Sequence, residues 1–368
     1  MTPIPIEVAL GERAYPVHVG PDLVARLRDL LPLASHSSLA LVTEPGPAAH
    51  RAALARGLTG LVVHTLDLPI GGEPLKTYDS LARIHEGLAA AGVDRSGAVI
   101  AFGGGALGDV VGFAAATWLR GVAWYVVPTT LLSQVDAAIG GKTAIDVPHG
   151  KNLVGAFHQP RGVVADSGVL VTLPAREIAS AFAEIVKTAL VADSELFARL
   201  EDMDLATLPA SADLAYIVER CAAAKARIVA HDEREVAGGN GASRKWLNFG
   251  HTVGHALEAA TAYGYYAHGE AVAIGMRAAL ALSRELGILA PDDAARAGRQ
   301  VARLRAPSTP PGLDLGVVRR ALAGDKKRAG DAIDWVVLEG IGRPRVVRLR
   351  LDDGVVDRVI DVALGTAS

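Results

Sequence analysis

Short β-branched runs alternate with segments of helical period over the first 170 residues. Ile4–Ala9, Tyr15–Val19, Ser38–Val42, Leu61–Thr65, Ala98–Phe102, Trp124–Val127 and Gly162–Ala165 pattern as strands. Between them, Pro21–Leu31, Pro47–Ala55, Leu75–Ala91 and Ala106–Leu119 pattern as helices. Such alternation predicts a parallel sheet covered by helices. The texture changes after Leu173-Pro174. Ala175–Glu201, Ala212–His231, Thr252–Thr261, Glu270–Leu286 and Pro291–Leu304 read as helices, and strand patterning returns only at Trp335–Leu338 and Arg345–Arg348. Two domains are therefore expected: an α/β domain over 1–170 and a mainly α-helical domain over 171–368.

Composition narrows the class. Half of the 368 residues are hydrophobic and 21% are charged, enough to bury a sizeable core and too apolar for a disordered chain. The net charge of −3 provides no basic field for nucleic acid. No run reads as a membrane span, and the first residues lack a leader pattern. With Cys221 as the single cysteine, a cytoplasmic protein without internal disulfides is expected. The cations are skewed: of 37 basic residues only eight are lysines, at 76, 142, 151, 187, 225, 245, 326 and 327. In an arginine-rich chain, a retained lysine marks a position that favours a compact ammonium over a planar guanidinium.

Three motifs carry candidate chemistry. The predicted strand Ala98–Phe102 runs into Gly103-Gly-Gly-Ala-Leu-Gly108-Asp109, a G-x-G-x-x-G spacing at a helix start. Glycines there let backbone N–H groups approach a pyrophosphate. The loop lies about 100 residues into the chain, with no acidic residue between Asp109 and Asp136, so the ordinary dinucleotide fingerprint is not met. A second loop, Asp136-Ala-Ala-Ile-Gly-Gly-Lys142-Thr, precedes Gly150-Lys151-Asn152. Asp136 stands where a P-loop needs glycine, but two lysines and an amide suit a phosphate ester. The third is Asn248-Phe-Gly-His251-Thr-Val-Gly-His255, followed by His268-Gly-Glu270. Glu184 lies in an apolar helix three residues before Lys187. Two histidines and a carboxylate form a metal set with an open position, and spacing alone leaves His251, His255 and His268 all eligible.

Read in order, these motifs agree with Gly71-Gly-Glu-Pro-Leu-Lys76, Arg120-Gly, Pro128-Thr-Thr-Leu-Leu-Ser-Gln-Val-Asp136, Ala-Glu184-Ile-Val-Lys187, Asp232-Glu-Arg-Glu235 and Asp325-Lys-Lys327. From about residue 70 to 345 the chain resembles the 3-dehydroquinate synthase family of sugar-phosphate cyclases. The resemblance implies an NAD-binding α/β domain followed by a helical metal- and substrate-binding domain. It implies conversion of 3-deoxy-D-arabino-heptulosonate 7-phosphate to 3-dehydroquinate and phosphate, a step towards aromatic amino acids. The family oxidises a substrate hydroxyl, eliminates phosphate, reduces the ketone again and closes the ring by an internal aldol step. It uses NAD⁺ and a divalent metal, zinc or cobalt, and is homodimeric.

Roles follow position by position. Glu184, His251 and His268 match the metal ligands, and His255 then matches an active-site group that is not a ligand. Lys142, Lys187, His255 and Asn248 match catalytic positions. Arg120, Asp136, Asn152, Lys225, Arg244, Lys326 and Lys327 match substrate-binding positions, Arg120 across the dimer interface. Gly71, Gly72, Glu73, Pro74, Leu75 and Lys76 match NAD contacts, as do Gly105, Ala106, Leu107, Gly108 and Asp109. Thr129, Thr130, Lys142, Lys151, Val169, Leu170, Val171 and Thr172 complete the NAD set. One departure stands out: the link from Glu235 to Arg244 is several residues longer than is usual in the family. Two other readings share the two-domain plan. A sister cyclase of secondary metabolism would change the carboxylate-binding groups, whereas Lys225, Arg244, Asn248 and His255 are present here. A metal-dependent polyol dehydrogenase, with no phosphate to bind, would leave the lysine cluster unexplained.

Overall fold

The computed structural model describes residues 4–204, 213–236, 242–323, 328–329, 332–351 and 353–365. The described residues form two compact units, one within Met1–Pro174 and Ala206–Ala230, the other within Ala175–Leu205 and His231–Ser368.

The first unit contains strands β1 (Ile6–Val8), β2 (Tyr15–Gly20), β3 (Leu39–Thr43), β4 (Val63–Asp67), β5 (Ala98–Gly103), β6 (Ala123–Pro128), β7 (Lys142–Val147), β8 (Gly150–Phe157) and β9 (Val163–Asp166). Seven of these form one sheet in the order β1-β2-β9-β6-β5-β3-β4. All its pairings are parallel except β1 with β2, which is antiparallel. β3 and β5 are buried along their whole length, as a covered parallel sheet requires. The helices are α1 (Leu27–Leu30), α2 (Ala48–Gly57), α3 (Tyr78–Ala90) and α4 (Gly105–Thr117), with α7 (Asp213–His231) joining this unit through residue 230. On α7, the Lys225 ammonium pairs with Asp136 of the same unit at 2.8 Å.

Two expectations change here. The predicted helix Pro21–Leu31 is only a 3₁₀ turn, Val24–Arg26, followed by the four-residue α1. The region read as a lysine-rich loop is the β7–β8 hairpin, paired from Lys142↔Phe157 to Val147↔Gly150. Its Gly and Lys content masks the alternation Thr143, Ile145 and Val147.

The second unit contains α5 (Ala175–Ala192), α6 (Ser194–Asp202), α8 (His251–Ala260), α9 (His268–Glu285), α10 (Pro291–Ala302), α11 (Leu315–Ala323) and α12 (Gly354–Leu364). A three-stranded antiparallel sheet adds β10 (Arg328–Ala329), β11 (Ala332–Gly340) and β12 (Arg343–Arg350). The predicted helix Ala175–Glu201 is two helices, because the Asp193 carboxylate accepts from the Leu196 amide at 3.0 Å and caps α6. The core joins Leu257, Ile274, Leu282, Val318, Trp335 and Val359 from both helices and sheet. No helix among the described residues is long and apolar enough to cross a membrane.

Candidate active site

In the first unit the candidate groups gather at the carboxyl ends of adjacent parallel strands. β3, β5 and β6 are neighbours, and they end at Thr43, Gly103 and Pro128. Glu44, the glycine loop and Thr129–Thr130 therefore share one edge, where ligands of open α/β sheets bind. The Thr129 amide donates to the Gly103 carbonyl at 2.9 Å and fixes the loop to β6. Glu44 accepts from the Gly104 amide at 2.5 Å and the Gly72 amide at 3.1 Å, tying the two predicted NAD segments together. With the Gly104 N–H so occupied, an incoming pyrophosphate would meet the next amides, at the start of α4. Leu75, Leu107, Val169 and Leu170 are core side chains, so they can face a cofactor only through backbone; Val171 is exposed. The Thr172 hydroxyl lies 3.3 Å from His50 Nε2.

Lys76 is 3% exposed and anchors a charged cluster. It pairs with Asp109 at 2.8 Å, lies 3.9 Å from both Glu73 and Asp146, and donates to the Asn152 side-chain oxygen. Asn152, at φ 56°, also donates its amide to Asp146 at 2.8 Å, and Lys151 pairs with Glu73 at 3.2 Å. Burial, only partly opposed by Lys76, pushes the Asp109 carboxyl up to about 6. Gly105, Gly108, Asp109 and Lys142 line one small cavity. Asp136 lies in a π-helical turn, Ser133–Ala137, a geometry favoured at functional sites. Arg120 is exposed and, like Leu119 before it (φ 50°), left-handed at φ 69°.

In the second unit three helices converge. Glu184 lies mid-way along α5, while His251 and His268 are the first residues of α8 and α9. Their donor atoms all lie within 4.8 Å of one another. Glu184 Oε1 is 3.5 Å from His251 Nε2 and 3.3 Å from His268 Nε2, and Lys187 pairs with its other oxygen. Glycines make this approach possible. A Cβ on Gly269 would lie 1.9 Å from the Ser180 carbonyl oxygen, and one on Gly275 would lie 1.8 Å from that of Gly250. Glu270 accepts from the Ala267 amide at 2.8 Å and is held by Arg176, so it caps α9 and fixes His268 without being a ligand.

The donor set fits a divalent metal. Glu184 is buried, and its carboxylate is met only by the Lys187 ammonium and the two imidazoles among the contacts described. Burial opposes its charge, but Lys187, His251 and His268 hold the carboxyl well below the usual range. For His268, burial is outweighed by Glu184 and Glu258, which push it up to about 10. A cation seated among these groups displaces that proton. His255 has its ring centroid 5.2 Å from that of His251 and 6.2 Å from that of His268. On the same segment, Arg244 Nη1 donates to the Glu233 carbonyl at 2.7 Å and Asn248 Nδ2 to Glu235 Oε1 at 2.6 Å. Lys326 and Lys327 lie outside the described residues.

The family model for the 3-dehydroquinate synthase N-terminal region matches residues 67–180, and that for its C-terminal region matches 181–328. The chain belongs to the 3-dehydroquinate synthase family. A 3-dehydroquinate synthase of Opitutus terrae is 44% identical over 345 residues, covering 92% of this chain and 93% of that protein. Among solved structures, a 2-deoxy-scyllo-inosose synthase complexed with carbaglucose-6-phosphate, NAD⁺ and Co²⁺ aligns with TM-score 0.83 and 26% identity over 97% of this chain and 99% of that one. The 2-epi-5-epi-valiolone synthase of Streptomyces hygroscopicus, with NAD⁺ and Zn²⁺ bound, aligns with TM-score 0.82 and 28% identity over 96% and 97%.

Three acids of these clusters received no role from sequence. Glu44 lies beyond β3, upstream of the loop it contacts, so the usual search some 20 residues downstream of a glycine motif misses it. Glu258, 3.5 Å from His268 Nδ1, is the i+7 partner of His251 on α8, a helical periodicity that would have flagged it. Glu235 belongs to the Asp232–Glu235 motif, but its partner Asn248 is visible only in the fold.

Proposed function

We propose that this chain converts 3-deoxy-D-arabino-heptulosonate 7-phosphate to 3-dehydroquinate and phosphate, the activity of its family. The observation that carries this reading is the Glu184, His251 and His268 set, its donor atoms within 4.8 Å of one another, with the Lys187 ammonium on the buried carboxylate. When bound, NAD⁺ supplies a reversible hydride acceptor, and the metal, for which we propose zinc, supplies a Lewis acid at the oxidised hydroxyl.

The chain's own residues do the rest. Gly71–Lys76, Gly105–Asp109, Thr129, Thr130, Lys142, Lys151 and Val169–Thr172 hold the dinucleotide, with Glu44 tying the first two segments together. Glu184, His251 and His268 hold the metal. Lys142, Asn152, His255 and one of Lys326 and Lys327 bind the substrate phosphate. Arg120 joins them from the partner in a proposed homodimer. Asp136, Lys187, Lys225, Arg244 and Asn248 orient the hydroxyls and carboxylate. Concentrated cations lower the barrier by stabilising the dianionic leaving group where it forms. A cytoplasmic location is part of the same proposal.

The test offers the purified enzyme, with NAD⁺ and metal, the carboxylated heptulosonate phosphate and uncarboxylated sugar phosphates side by side. The reading predicts 3-dehydroquinate from the first alone. An inosose or valiolone product from the others would place the chain with the sister cyclases instead.

A further inference from the structure

The segment that presents Arg244 and Asn248 begins at Asp232, directly after α7. Asp232 is 3% exposed, and its carboxylate is fully engaged. One oxygen accepts from the Val236 amide at 3.0 Å. The other accepts from the Arg244 amide at 2.9 Å and the Ser243 hydroxyl at 3.2 Å. A single buried side chain thus fastens both ends of the 236–243 link, whose residues 237–241 lie outside the described residues. The chain leaving this clamp puts Glu235 Oε1 on Asn248 Nδ2 and the Arg244 guanidinium on the Glu233 carbonyl.

We propose that Asp232 is a positioning residue: it closes the base of the 236–243 loop and thereby sets Arg244 and Asn248 for the substrate, independently of the loop's length. Hydrogen bonds from backbone amides to a buried carboxylate are charge-assisted and roughly twice as strong as neutral ones. Loop-closure entropy grows only logarithmically with length, so extra residues beyond a clamp strain it little. The inference rests on the substrate reading above.

The experiment uses the full-length enzyme with NAD⁺ and metal, in three variants: Asp232→Ala, Asp232→Asn and a deletion of Gly238, Gly239 and Asn240. Four quantities are read: KM and kcat for the carboxylated sugar phosphate, the NAD⁺ dissociation constant, metal content, and amide hydrogen exchange over 242–248. Asp232→Ala is expected to raise KM about tenfold. It should speed exchange of the Ser243–Asn248 amides by a similar factor, with NAD⁺ affinity and metal content unchanged. Asp232→Asn, which keeps one acceptor oxygen, should fall between it and wild type. The shortened loop should match wild type in all four. Unchanged KM and unchanged local exchange in the Asp232 variants would overturn the proposal. So would a shortened loop that raises KM as far as Asp232→Ala does. If Asp232→Ala does not fold, Asp232→Asn and the deletion decide by the same criteria. Absence of wild-type turnover would count against the substrate reading, and the exchange measurement would still decide the role of Asp232.

Discussion

Replacing Gly269 with alanine should break the metal centre without touching a ligand. The added Cβ would lie 1.9 Å from the Ser180 carbonyl oxygen and 2.6 Å from its carbon. A carbon approaches a carbonyl oxygen to no closer than about 3.3 Å, so α9 and α5 must part by roughly 1.4 Å. The displacement falls on the proposed metal ligands, because Ser180 is one turn before Glu184 and Gly269 follows His268. Glu184 and His268 stand 3.3 Å apart in the present arrangement, and metal–ligand distances tolerate only about 0.2 Å. The Gly269 amide bond to the Ser180 hydroxyl, at 2.9 Å, is strained by the same movement. Overpacking of this kind costs about 1–3 kcal/mol of stability, and metal affinity should fall at least tenfold, on the order of what loss of a ligand-supporting contact causes. The assay is competitive titration of Zn²⁺ or Co²⁺ against a chelator, with thermal unfolding of the metal-free protein in parallel. Gly298→Ala in α10 is the control, since its Cβ meets nothing within 4 Å and should add up to about 1 kcal/mol of stability. Gly269→Ala with wild-type metal affinity and Tm would refute the view that this glycine contact sets the ligand geometry.

Other expectations follow from the same contacts. Lys76→Met leaves Asp109, Glu73 and Asp146 without their shared cation and should cost about 3 kcal/mol in denaturant unfolding, with weaker NAD⁺ binding by calorimetry. Asp109, held at about 6 when folded and near 3.8 when unfolded, binds its proton more tightly in the native state. Its contribution to stability therefore falls as pH rises from 4 to 6, and the difference in unfolding free energy between wild type and Asp109→Asn should shift towards the variant over that range, then flatten. His268→Ala should lose metal by elemental analysis and lose turnover, yet keep NAD⁺ affinity; wild-type turnover of that variant under strong chelation would contradict the ligand assignment. Lys142→Arg should lower kcat/KM at least tenfold, because a planar guanidinium does not replace a compact ammonium against a phosphate.

What could be read from sequence was what local pattern encodes. The buried strands Leu39–Thr43 and Ala98–Gly103 announce themselves as continuous apolar runs, and the glycine loop follows the second of them. Glu184 was visible as a carboxylate with no business in an apolar helix unless paired, and the structure brings it to His251 and His268. The β7–β8 hairpin was hidden because glycines and lysines interrupt its alternation. The break at Asp193 was hidden because a capping aspartate inside a long helical pattern looks like one more polar position. The roles of Glu44 and of Asp232, a member of a matched motif, are hidden for a different reason. Their partners, Gly104 at one and Arg244 at the other, are set by chain reversals that no periodicity records.

By the proposed reaction, one turnover uses NAD⁺ and metal without consuming either. The most direct measurement follows phosphate release and NADH absorbance together, as purified enzyme acts on 3-deoxy-D-arabino-heptulosonate 7-phosphate with and without NAD⁺ and chelator. The account predicts one phosphate per substrate, dependent on both NAD⁺ and metal, with no net NADH. Accumulation of NADH with glycerol or another diol, and no phosphate from the sugar phosphate, would contradict it.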